Sequence, residues 1–151
     1  MLSPQGANVA LSPSVPYNVR SLLGEHRMAR ILIVDDSPSQ LEGLKRLVEK
    51  LGHQTLTAVD GAAGVEAAKR DKPDLVLMDV VMPNLNGFQA TRAISKDPGT
   101  AHIPVILVTT KDQETDKVWG MRQGAKAYVT KPVSEADLIK VLDEHLSNDH
   151  P

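Results

Sequence analysis

The chain has 151 residues, 17 basic and 19 acidic side chains for a formal net charge of −2, no cysteine, and few aromatic rings: one Trp, two Tyr and one Phe. That length suits one domain of ~100–200 residues that folds on its own core. Missing thiols exclude disulfide frameworks, thiolate metal sites and Cys nucleophiles; the balanced charge and scarce rings give no footprint for nucleic acid or anionic membrane; and no apolar run approaches the ~18–20 residues of a membrane span.

Residues 1–27 contain Pro4, Pro13 and Pro16, which interrupt any helix there, and their only charges are Arg20, Glu25 and Arg27. They lack the basic start and apolar core of a secretion signal. A flexible extension over 1–27 is expected, with the domain over 28–148 opening at a second start-like Met28. The 124 residues from Met28 onward carry 15 basic and 18 acidic groups, a net charge of −3. A soluble, cytoplasmic protein is the expectation.

Arg30–Val34 predicts the first strand, a short continuous apolar run as in a strand buried on both faces. Ser37 and Pro38 then open a helix whose Leu41, Leu44, Leu47, Val48 and Leu51 recur at helical spacing, and Gly52 stops it. Gln54–Ala58 predicts a second strand and residues 61–71 an Ala-rich helix ended by Lys72-Pro73. Asp74–Met78 predicts the third strand, and a helix follows over about 87–96. Val105–Val108 predicts the fourth strand and residues 113–123 a helix ending at Gly124. Ala125–Thr130 predicts the fifth strand. Residues 134–147 predict the last helix, with Ser134 as N-cap and Leu138, Leu142 and Leu146 on one stripe. Strand–helix alternation repeated five times argues an α/β, doubly wound (βα)5 parallel sheet covered on both faces, of order 2-1-3-4-5.

In such sheets function collects at the carboxyl ends of the strands. Asp35-Asp36 follow the first strand, Asp79 the third, Thr109-Thr110 the fourth, and Thr130-Lys131-Pro132 the fifth. Taken alone, Asp35 and Asp36 are an N-cap and a helix-dipole acid. Beside Asp79 they form a cluster that a cation must neutralise. Oxygen ligands without Cys or His select a hard ion, Mg²⁺ ahead of Mn²⁺ or Ca²⁺. A cis Lys131–Pro132 bond would aim the Lys131 ammonium back over the acids, and Thr109 would supply a short donor. A carboxylate ringed by a metal, a Lys and a hydroxyl suits acceptance of a phosphoryl group as an aspartyl phosphate.

The motifs ILIVDDS (31–37), VLMDVVMPNLNG (76–87), PVILVTT (104–110) and AYVTKP (127–132) together resemble the receiver domain of bacterial two-component response regulators, from Met28 to about Leu146. The resemblance implies Asp79 as phosphoacceptor. It implies Mg²⁺ held by Asp35, Asp36, Asp79 and the backbone carbonyl of Val81, and phosphoryl contacts from Thr109 and Lys131. Tyr128 would be the aromatic switch that turns inward as Thr109 moves. Implied partners are a histidine kinase and a downstream protein bound through the fourth helix, fifth strand and fifth helix. The chain would act as a monomer or weak phosphorylation-dependent dimer, modifying only itself. TTKDQETDKVWGMRQGA (109–125) and NGFQATR (86–92) are similar to the single-domain regulators of twitching motility, from the chemotaxis-like system controlling type IV pili.

Val81, Thr110 and Lys111 depart from common receiver choices around the acceptor and imply an altered dephosphorylation rate. Trp119 is either a rim packing residue or a partner contact. Competing readings are a phosphate sink, an Asp-nucleophile phosphatase, or a flavin or nucleotide binder. Asp35-Asp36-Ser37 lacks the Asp-x-Asp spacing of haloacid-dehalogenase-type phosphatases, and its acids would repel a phosphate from the first loop.

Overall fold

The computed structural model describes residues 28–82, 86–110 and 114–146. The expected extension over 1–27, Lys111 and residues 147–148 lie outside the described residues. Ten elements alternate along the chain: β1 (Arg30–Val34), α1 (Pro38–Lys50), β2 (Gln54–Ala58), α2 (Gly61–Asp71), β3 (Leu75–Asp79), α3 (Gly87–Lys96), β4 (Val105–Thr110), α4 (Glu114–Arg122), β5 (Ala127–Lys131) and α5 (Glu135–His145). All strand pairs are parallel and the order is β2-β1-β3-β4-β5, as the alternation requires.

Side-chain alternation divides the core in two. Leu32, Val34, Val76, Met78 and Leu107 pack against Val65, Ala68, Ala90 and Ile94 of α2 and α3. Ile31, Ile33, Leu75, Leu77, Ile106 and Val108 pack on the other face against Leu44 and Val48 of α1 and Leu138, Val141 and Leu142 of α5. β1 and β3 are apolar on both faces because both faces are covered. The edge strand β2 is only partly buried, which is why it tolerates Gln54, Thr55 and Thr57.

Helix starts lie just beyond strand ends and are capped there. Asp60 Oδ1 accepts from Ala63 N (2.8 Å) at α2, and Ser134 Oγ from Asp137 N (3.0 Å) at α5. Asn86 and Gln89 form a reciprocal capping box at α3. Three strand predictions shift. β3 begins at Leu75 and ends on Asp79, because the Asp74 carboxylate is used outside the ladder, accepting from Arg30 N (2.8 Å). β4 continues through Thr110, and β5 runs from Ala127 to Lys131, because Thr109 and Thr110 pair with Thr130 and Lys131. The last two helices span Glu114–Arg122 and Glu135–His145, which leaves Gln123, the N-cap Ser134 and the C-cap Leu146 outside them; residues 113 and 147 of the predicted spans lie outside the described residues.

Candidate functional site: an acidic cluster at the carboxyl edge of the sheet

Pairing places Asp79 opposite Val108, next to Thr109, and places Lys131 opposite Thr110. Asp79 follows the alternation of Leu75 and Leu77, and Lys131 that of Val129, so both project toward the α1–α5 side. Asp35 follows β1 and its Oδ1 accepts from Ser37 N (2.9 Å), which fixes its carboxylate at the entry to α1. Oxygens of Asp35, Asp36 and Asp79 lie within 4.8 Å of one another; Asp35 and Asp79 are buried and Asp36 is exposed.

The Lys131–Pro132 bond is cis, and the Lys131 ammonium meets the acids as expected. Its Nζ donates to Asp79 Oδ1 (2.9 Å), Asp35 Oδ2 (3.5 Å) and Gln40 Oε1. Burial pushes the Asp79 carboxyl above the usual carboxylate range; Lys131 opposes this, while Asp35 and Asp36 add to it. One ammonium against three carboxylates leaves negative charge in excess. That all-oxygen donor set, two of its members desolvated, fits a hard divalent cation.

Beside the acids, the Thr109 hydroxyl is buried without a hydrogen-bond partner among the described residues. An orphaned buried hydroxyl is costly, by about 1–3 kcal/mol, unless an arriving group satisfies it. It lines a cavity of about 190 Å³ with Asp36, Asp79, Val81, Thr110 and Lys131. Val81 is 72% exposed at this mouth and Thr110 is exposed.

Two functional features escaped the sequence reading. Gln40 reaches Lys131 because first-turn side chains of a helix point back toward the preceding loop; its spacing of three from the N-cap Ser37 is the available signal. Gly87 supports the acceptor itself: its N donates to Val80 O (3.0 Å), and a Cβ there would lie 2.2 Å from the Asp79 carbonyl oxygen. Tyr128 (42% exposed) on β5 and Trp119 (49% exposed) on α4 stand at the surface. Trp119 lies near the Arg122 guanidinium, 5.7 Å from ring to cation, so it is a rim residue and not a core one.

A five-stranded, doubly wound sheet with this acid–lysine edge has the architecture of a signalling receiver. Residues 31–143 match the response regulator receiver domain family, and the chain belongs to that family. It is 62% identical to Protein PilH of Pseudomonas aeruginosa over 120 residues, covering 80% of this chain and 99% of that protein. It is 39% identical to Response regulator PleD of Caulobacter vibrioides over 111 residues, covering 74% of this chain but only 24% of PleD. Among solved structures, the receiver domain of sensor histidine kinase PA1611 from Pseudomonas aeruginosa, which has a magnesium ion coordinated in its active-site cleft, superposes with a TM-score of 0.75. The two are 28% identical, and the match covers 81% of this chain and all of that one. Among the described residues, no helix is long and apolar enough to cross a membrane.

Proposed function

We propose that the chain is a cytoplasmic single-domain response regulator that takes a phosphoryl group from a phosphohistidine of a histidine kinase onto Asp79. A carboxylate oxygen of Asp79 forms the new bond to phosphorus as the donor's nitrogen–phosphorus bond breaks. Asp35, Asp36, Asp79 and the Val81 carbonyl would hold Mg²⁺, which supplies neutralisation of charge on the transferred group. Lys131 leaves its ion pair with Asp79 to meet the phosphoryl oxygens. Thr109 donates its unpartnered hydroxyl to them. Tyr128 follows Thr109 inward, so that phosphorylation shifts the population between two arrangements of the α4–β5–α5 surface, which a downstream protein reads. The chain modifies only itself, and its aspartyl phosphate decays by hydrolysis.

The observation that carries this reading is the Lys131 ammonium 2.9 Å from Asp79, inside a cluster of three carboxylates. The single-domain reading draws on the likeness to PilH, which spans 99% of that protein. The 109–125 stretch supports a place in the chemotaxis-like control of type IV pilus twitching motility. Labelling with acetyl phosphate and Mg²⁺ tests the site: wild type takes up label and Asp79→Ala does not. Persistent label in Asp79→Ala defeats the assignment. Lys131→Ala should lose signalling while keeping label.

A further inference from the structure

α4 covers β4 through a glycine. A Cβ on Gly120 would lie 1.8 Å from Leu107 Cδ1, so the helix sits unusually close to the strand. Leu107 pairs with Tyr128 on β5. Lys117 lies one helical turn before Gly120, on the same face of α4. Its position follows from that contact: the Lys117 ammonium stands over the Tyr128 ring, 4.8 Å from the centroid. The Lys117 side chain is only 13% exposed, unusual for a lysine, and its Nζ also pairs with Glu114 Oε2 at 3.1 Å. The stem packs while the charge is shared between a carboxylate and a π face.

We propose that Lys117 is a positioning residue of the conformational switch, holding the Tyr128 ring outward. Its cation–π contact exists only while the ring stays on the α4 side, so inward rotation must break it. Lys117 thereby sets how strongly an anion at Asp79 must act before the surface changes. The inference rests on the reading of Tyr128 as the switch. With its lysine largely buried and its ring half exposed, such a cation–π contact shifts the equilibrium by at least about two- to fivefold. With the ring outward in the free chain, as here, activation becomes easier by the same factor when the contact is lost.

Beryllium fluoride with Mg²⁺ serves as the phosphoryl stand-in, and ring-¹³C-tyrosine NMR as the readout. The chain has two tyrosines, Tyr17 and Tyr128, and Tyr128→Phe assigns the signal. In free Lys117→Met the Tyr128 resonance should move part of the way toward its beryllium fluoride position. The half-saturating concentration should fall about two- to fivefold. Lys117→Arg, which keeps a cation for the ring, should behave as wild type. Lys117→Gln should follow Lys117→Met and carries the test if the methionine variant fails to fold. Identical titrations for the neutral variants and wild type overturn the role of Lys117. If Tyr128 in wild type does not respond to beryllium fluoride at all, the switch reading beneath it fails instead.

Discussion

Gly87→Ala probes the link between helix placement and the acceptor. The added methyl would sit 2.2 Å from the Asp79 carbonyl oxygen, 2.8 Å from Val80 Cα and 3.0 Å from the Asp79 carbonyl carbon. All three are backbone atoms, so no side chain can swing away. Restoring an ordinary carbon–oxygen contact needs a shift of roughly 1 Å between α3 and the end of β3. Overpacking of this kind costs about 1–3 kcal/mol, against at most ~1 kcal/mol regained from alanine's helix propensity. A displacement of ~1 Å at a reacting group slows a positioned reaction by as much as ~100-fold. Urea unfolding and the rate of Asp79 labelling by acetyl phosphate measure the two effects separately. Gly43→Ala is the control: Gly43 lies inside α1 with nothing within 4 Å of a new Cβ, so it should gain about 1 kcal/mol and label normally. A Gly87→Ala protein as stable as wild type and labelled at the same rate would refute the close-approach argument.

Other outcomes follow from the same geometry. Without divalent metal, Asp79→Asn should be more stable than wild type at pH 7, because folding raises the Asp79 pKa and the ionised carboxylate disfavours the fold. Wild-type stability should fall relative to Asp79→Asn as pH rises from the ordinary aspartate value through the raised one, and saturating Mg²⁺ should remove the difference. Urea titrations across that range decide it, and an asparagine variant less stable at pH 7 contradicts the assigned repulsion and burial. Val81→Asn and Thr110→Ala, both lining the cavity, should change the aspartyl-phosphate lifetime; unchanged decay curves sink the idea that these side chains control hydrolysis. Trp119→Ala should leave labelling intact and stability within about 0.5 kcal/mol, while weakening binding of the downstream protein. Lost stability with undiminished binding by the folded fraction would make Trp119 a packing residue.

The alternation of apolar runs with helical spacing determined the parallel sheet, its order and both covered faces, because burial on two sides demands continuous apolar strands such as ILIV (31–34) and LVLM (75–78). Asp35, Asp36, Asp79, Thr109 and Lys131 were legible for a related reason: in this topology the residue just past each strand must lie at one edge. Strand ends were less legible. Asp79 lies inside β3 and Lys131 inside β5, because ladder pairing, and not local polarity, decides where a strand stops. The Gln40 contact to Lys131 spans 91 residues of sequence and depends on the angle at which α1 leaves β1. Gly87 against the acceptor backbone and Lys117 over Tyr128 likewise depend on how closely α3 and α4 approach the sheet. Periodicity encodes which face of a helix is buried; only tertiary packing decides its depth and rotation, and with them which polar side chains of its first turns reach the site.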